Sequence, residues 1–293
     1  MIRALVVLLV SALLAAGLAL AGSDQSSRIG NLPVFAICIA IAFIMQWIAF
    51  IPAWINKTEK FYDLTGSATY ITVIALACVY TAELSLLKMI IAACVVLWAL
   101  RLGSFLFLRI VQDKNDRRFD KIKTNPARFF STWNLQGLWV SFTAAAALAA
   151  ISSGRTEQGF AAIAIIGAAL WLLGFIIEAV ADAQKRRFRK QRASEQGSTR
   201  PFIDTGLWAL SRHPNYFGEI LLWAGVALMA VPLLQGWQFV TLVSPLFVYL
   251  LLTRISGVPL LERSADERYG NDPAYIAYKQ RTPVLFPRLR SAK

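Results

Sequence analysis

The sequence has little histidine, cysteine or acid, and each shortage removes a class of chemistry. A single histidine, His213, excludes a metal centre built from several imidazoles. The three cysteines, Cys38, Cys78 and Cys94, fall inside apolar runs with no CxxC or metal spacing, so they read as small core residues. Charged residues are only 16% of the 293 positions, where soluble domains carry roughly 25%. Water is therefore not the main solvent of this chain. Neither an internal repeat nor a low-complexity linker is present.

Hydrophobic residues make up 57% of the chain and are gathered into runs near the length that spans a bilayer. Eight windows qualify: 4–22, 33–52, 67–82, 86–108, 135–151, 159–180, 218–234 and 238–256. The expected fold is all-α, a polytopic integral membrane bundle of seven to eight transmembrane helices with cytoplasmic helical segments. Residues 1–293 read as one membrane domain, with N-terminal helices over 1–108 and a C-terminal half over 109–293. Windows 67–82 and 218–234 are short and are the expected places for a re-entrant or tilted helix. The first window has the outline of a secretory signal, with Arg3 before an apolar run ending near Ala19 and Ala21, but is read as an uncleaved helix.

Lys and Arg concentrate in three segments, Arg101 to Arg128, Lys185 to Arg212 and Arg254 to Lys293, which hold 24 of the 30 basic residues. The short loops near Gly154 and Gly236 hold only Arg155, so the positive-inside rule places the basic segments in the cytoplasm. The net charge of +13 then reflects topology and contact with anionic headgroups, not nucleic acid. Eight crossings would leave both termini cytoplasmic.

The segment Gln112 to Trp133 mixes charge with Phe119, Phe129 and Phe130 and is expected to fold back on the membrane surface. The helix containing Leu170 should run on through Ala181 to Arg192 into water. From Gly206 to Glu219 a new helix is expected to open at Pro214, with His213 at its cap.

Three sets of residues near these ends suit ligand chemistry. The first turn after Pro214 offers unpaired N–H groups beside Arg212, a receptor for phosphate or carboxylate, and Asn215 and Glu219 share one face of that helix. Glu178, Asp182, Arg186 and Arg189 align along one stripe, carboxylates for amide or ribose and arginines for phosphate. Glu262 follows an apolar ProLeuLeu and is a third candidate, an ion pair with Arg263 or Arg254 being the plainer alternative. Earlier in the chain, Glu59, Tyr62 and Asp63 stand at the mouth of two helices, and Asp63 facing the intramembrane Arg101 would make a pair, functional or structural.

Ser211 to Glu219, with Leu260 to Pro283, resembles the C-terminal half of the steroid 5α-reductase-like membrane proteins, and Phe61 to Gly66 (PheTyrAspLeuThrGly) resembles a stretch of a bacterial branch of that family. The resemblance implies a bacterial inner-membrane enzyme that binds NADPH from the cytoplasm and reduces a carbon–carbon double bond of a steroid, sterol or isoprenoid-like lipid. By position it implies cofactor contacts at Asp182, Arg189, Asn215 and Glu219. Arg212, His213, Tyr216, Glu262, Arg117 and Arg118 are added as cofactor-binding candidates, and Glu59, Tyr62 and Asp63 as catalytic ones. No metal is expected. The family's substrate-activating Gln-Glu pair does not transfer, and its tyrosine position carries Trp98, so Tyr62 or Asp63 would have to polarise the substrate carbonyl.

The ArgHisPro-x-Tyr opening and Glu262 are also similar to membrane methyltransferases that use S-adenosylmethionine on prenylated or lipid substrates, which leaves that alternative open. A non-enzymatic scaffold or transporter is a third, weakened by the clustered carboxylates and by the absence of an inverted repeat. Expected partners are membrane lipids and a hydrophobic small molecule, with no nucleic acid and no obligatory protein partner.

Overall fold

In the computed structural model the described residues are 2–113, 115–156, 162–194 and 201–288. They form helices at α1 Ile2–Gly22, α2 Val34–Ile55, α3 Tyr62–Tyr80, α4 Leu86–Asp113, α5 Pro126–Thr143, α6 Ala145–Ser152, α7 Ala162–Ser194, α8 Pro214–Ala230, α9 Ser244–Leu250, α10 Val258–Tyr269 and α11 Pro273–Arg281. A two-residue hairpin, Arg28–Ile29 with Leu32–Pro33, is the one sheet among the described residues. Seven helical stretches are long and apolar enough to cross a membrane, and the bent pair α5–α6 raises the number to eight. The expected all-α polytopic bundle is what the chain forms. Apolar side chains stand exposed along its helices, among them Leu5, Leu9 and Leu13 of α1, and lipid is the solvent that accepts them.

The chain divides into two compact units, Met1–Ile166 with Val226–Ser244, and Gly167–Gly225 with Pro245–Lys293.

In the first unit the loops gather at two ends. At one end Ser27 Oγ accepts from the Ala82 N–H at 3.1 Å, Ser26 pairs with Ser153, and the Trp237 N–H donates to Asp24 at 2.8 Å. Lys88, fully buried, donates to the carbonyls of Ser153 at 2.7 Å and Glu83 at 2.9 Å, which caps the C-terminus of α6 with a cation. At the other end Glu59, just before α3, binds Lys123 and the Asp116 amide, just after α4. The pair α5–α6 begins beside Lys123 at the second end and finishes at Ser153 at the first, so it runs from end to end.

The short windows 67–82 and 218–234 are unbroken helices, and the break falls instead within 135–151, where α5 and α6 meet at 54°. The Thr143 carbonyl accepts from Ser244 Oγ at 2.5 Å, which draws it out of the helical ladder and opens the bend. Every residue of α6 is buried, and its run of alanines lets neighbouring backbones close around it.

In the second unit α7 and α8 pack backbone to backbone. A Cβ on Gly218 would lie 2.7 Å from the Gly174 carbonyl and from the Glu178 nitrogen, and one on Gly225 would lie 2.5 Å from the Gly167 carbonyl. These two glycine pairs, seven residues apart on each helix, make the seam that brings Glu178 of α7 to the first turns of α8. Further on, α9 gives way to a π-type turn over Leu251–Ile255, and Gly257 follows, where any side chain would meet the Leu252 carbonyl and the Tyr216 ring. The redirected chain starts α10 with Pro259 in its first turn.

Candidate functional site

The second unit brings most of the cofactor-binding candidates to the start of α8. His213 lies immediately before Pro214, and its carbonyl accepts the Phe217 N–H at 3.1 Å, the first helical bond. The polypeptide that delivers it is pinned from two sides. Gly206, at φ +61, turns the chain so that the Leu207 N–H reaches Gln184 Oε1 at 3.0 Å, and Trp208 Nε1 donates to the Ala181 carbonyl at 3.1 Å. These bonds dock the segment on the stretch of α7 that carries Glu178 and Asp182, both buried. The tail closes over the other side: the Arg212 N–H donates to the Pro283 carbonyl at 2.9 Å and the Arg288 N–H to the Leu210 carbonyl at 3.0 Å. Ser211, fully buried, donates to the Leu285 carbonyl at 2.8 Å and accepts the His213 N–H at 3.2 Å.

Glu262 of α10 is the hub. Arg212 Nη1 donates to its Oε2 at 2.7 Å and His213 Nε2 donates to its Oε1 at 2.8 Å, while Lys279 Nζ stands 3.8 Å away. Lys279 is shared with Asp266 at 2.6 Å, which also accepts from Tyr275. Glu262 thus pairs across the fold with Arg212, not with the Arg263 or Arg254 near it in sequence. The physical reason is the Gly257 turn, which sets α10 against the start of α8. Arg263, the nearest neighbour, faces Glu267 at 3.2 Å on the exposed side.

The proton positions follow from these partners. A carboxylate can only accept, so His213 carries its hydrogen on Nε2 and keeps a lone pair on Nδ1. Burial pushes the His213 pKa below the ordinary value, outweighing the pull of Glu262, and the charges of Lys185 and Arg212 push the same way. The neutral ring stacks on Tyr216 with centroids 5.6 Å apart and planes 9° from parallel. Two buried atoms of the cluster are without a hydrogen-bond partner, Arg212 Nε, a donor, and His213 Nδ1, an acceptor. Buried polar atoms are costly when unpaired, so this donor and this acceptor, on consecutive residues, are capacity left for a ligand. With His213 neutral, Glu262 and Asp266 offset Arg212 and Lys279, while Lys185, whose charge also reaches His213, is a further cation. The unpaired donor and acceptor suit a carboxamide or a ribose diol.

The remaining candidates divide by environment. Asn215 is half-buried and Glu219 buried on α8. Along α7 the stripe changes from buried Glu178 and Asp182 to exposed Arg186 and Arg189 where the helix leaves the apolar region.

The candidates of the first unit form a separate constellation. Glu59, 6% exposed, accepts from Lys123 Nζ at 2.8 Å and from the Asp116 N–H at 2.9 Å. Tyr62 donates its hydroxyl proton to the Thr132 carbonyl at 3.1 Å, and its ring sits edge-on to Phe119 and Trp133. Asp63 pairs with Arg109 at 3.8 Å, eight residues beyond the expected Arg101. The first turn of α3 meets the last turns of the antiparallel α4, and Arg101 is about 12 Å further along that helix. Arg118 is held by Asp116 through paired hydrogen bonds, Nε to Oδ1 at 3.0 Å and Nη2 to Oδ2 at 2.5 Å. Burial works against the Asp116 carboxylate, but hydrogen bonding and charge from Arg118, with Arg109 adding, hold its pKa below the ordinary value. The side chain of Arg117 lies outside the described residues. Trp98 is buried edge-on to Tyr70.

Sequence reasoning did not single out Lys279, Asp266, Lys123, Arg109 or the tail carbonyls of Pro283 and Leu285. Their roles come from contacts across the fold, and no local spacing signals them.

Comparison with known proteins adds two findings. Over 75 residues, 26% of this chain, the sequence is 39% identical to 3-oxo-5-alpha-steroid 4-dehydrogenase 1 of Bos taurus. That stretch spans only 27% of the bovine protein. No solved structure matches. The profile of a family described as "Protein of unknown function (DUF1295)" matches residues 47–282, most of the chain, and the protein belongs to that family.

Proposed function

We propose that this protein is an NADPH-dependent membrane reductase that saturates a carbon–carbon double bond next to a carbonyl in a hydrophobic, steroid- or isoprenoid-like lipid. The observation that carries the reading is the orphaned buried donor and acceptor at Arg212 Nε and His213 Nδ1, on the segment that Leu207 and Trp208 dock to α7. Its chemistry fits the amide or ribose end of a nicotinamide nucleotide. The partial likeness to a protein named as a steroid dehydrogenase lends the reaction class, and the apolar helices suit a substrate that arrives through the bilayer.

In this reading Arg212 and His213 would hold the neutral donor–acceptor group, with Asn215 and Glu219 on the next turn. The exposed Arg186 and Arg189 would meet phosphates. The cofactor supplies a hydride when bound. The β-carbon of the enone gains it, the π electrons move to the carbonyl oxygen, and the α-carbon takes a proton as the carbonyl re-forms. Asp63 is the proposed acid at that oxygen: Tyr62 gives its proton to Thr132 and Glu59 is held at 2.8 and 2.9 Å by Lys123 and the Asp116 amide, whereas Arg109 approaches Asp63 only to 3.8 Å.

The same cluster favours one other reading, a methyltransferase that holds S-adenosylmethionine at His213, Tyr216 and Glu262. The two cofactors separate them directly. In detergent, NADPH should raise the thermal midpoint of the purified protein and S-adenosylmethionine should not, and enone lipids should drive loss of reduced-nicotinamide absorbance. Stabilisation by S-adenosylmethionine alone would end the reductase reading.

A further inference from the structure

In the first unit a cavity of about 280 Å³ opens at the end of α2. Buried Ala53 and Trp133 line it with Ala49, and exposed Pro52, Asn56 and Phe61 complete its lining. The amide and hydroxyl side chains of its lining are turned to the local backbone, while the buried Trp133 Nε1 has no hydrogen-bond partner. Asn56 Nδ2 donates to the Pro52 carbonyl at 2.8 Å, and Thr58 Oγ accepts the Lys60 N–H at 3.3 Å. Trp133 Nε1 could meet one acceptor on a guest, but the rest of the lining offers apolar contact, which suits hydrocarbon.

The surroundings of the exposed residues are equally particular. Ile51, Ile55 and Phe61 are exposed beside the cavity, so it opens within the apolar belt and a lipid chain can reach it sideways. Two cations flank Thr58, a lining residue. Lys57 rests its ammonium on the Trp54 ring, 2.7 Å from the centroid, and Lys60 lies 5.8 Å from the Phe61 ring. Lys57 also has φ +50, the left-handed position after a helix where glycine or asparagine is favoured. A lysine there costs conformational energy that glycine would not. Glu59 does not neutralise the pair, since its carboxylate is held by Lys123 and the Asp116 amide.

We propose that this cavity receives one acyl chain of an anionic phospholipid, with the phosphate bound by Lys57 and Lys60. The site is distinct from the Arg212–Glu262 cluster and does not depend on the reductase reading. It gives the turn between α2 and α3 a lipid anchor at the boundary of the bilayer.

The test is a titration of the purified full-length protein in detergent with phosphatidylglycerol or phosphatidylcholine, read as the thermal midpoint. Phosphatidylglycerol should raise the midpoint and phosphatidylcholine at the same mole fraction should not. Substituting Lys57→Gln with Lys60→Gln should require about tenfold more phosphatidylglycerol for the same shift. Ala49→Phe, which fills the cavity, should remove the shift. Arg263→Gln with Arg268→Gln, an exposed basic pair in the other unit, should leave it intact. Equal shifts with both lipids, or an unchanged titration in the double lysine variant, overturn the proposal. If Ala49→Phe fails to fold, the two surface variants still decide, because neither removes core packing.

Discussion

His213 shows how one residue can be read twice. As the lone histidine of the sequence it excludes a histidine-built metal site; in the structure it is a neutral, buried ring whose two nitrogens do different things. Its folded pKa lies below the ordinary value of 6.5, so the unfolded chain binds the proton first as pH falls. The stability due to neutral His213 is therefore complete above about 6.5 and is lost as pH falls through the lower, folded value. Thermal midpoints of the wild type should decline over that interval, and His213→Asn should flatten the decline; parallel curves would refute the assignment. Asp63 belongs to the same scale. Asp63→Asn should lower turnover about 10²- to 10⁴-fold, the range for a general acid, while NADPH still stabilises the protein. Undiminished turnover removes Asp63 from the reaction.

At the level of elements, glycine decides what can meet. The α7–α8 seam has no room for a Cβ at Gly218, whose nearest neighbours are backbone atoms. Gly218→Val should destabilise the protein by about 1–3 kcal/mol, through helix separation, and weaken cofactor-dependent stabilisation further. Circular dichroism melts with and without NADPH would separate the two effects. Gly257 sets α10 against Tyr216 in the same way, so a side chain there should displace Glu262 from Arg212. The helices themselves were legible in their hydrophobic runs, and among the described residues each of the eight windows coincides with helical structure. The α5–α6 bend was not, because it arises from a hydroxyl 101 residues away that captures the Thr143 carbonyl. Short windows looked weaker by composition, yet window 67–82 is completed by the Tyr62–Gly66 turn, whose polar residues a hydropathy run discounts.

For the whole molecule, the contacts that join loops at two ends of the first unit have a topological consequence. Labelling of cysteines placed at Gln25, Leu84 and Gly154, in a variant lacking Cys38, Cys78 and Cys94, should occur from one side of the membrane. Cysteines at Lys60 and Lys121 should be reached from the other, and the charge pattern predicts that this second side is the cytoplasmic one. Labelling of Gly154 and Lys121 from the same side would mean that α5–α6 turns back instead of crossing.

Composition and hydrophobic periodicity determined the solvent, the helical class and the span count, because a bilayer demands long runs of apolar residues with internally satisfied backbones. The residue types near Pro214 also marked the cluster on which the proposed ligand site rests. Tertiary structure alone decided the partnerships. It paired Glu262 with Arg212 and His213, gave Asp63 to Arg109, and used Glu59 and Tyr62 to hold a loop and an aromatic cluster. Charge and hydrogen-bonding capacity are properties of a residue, but which capacity is left unspent depends on what the fold places within 3 Å.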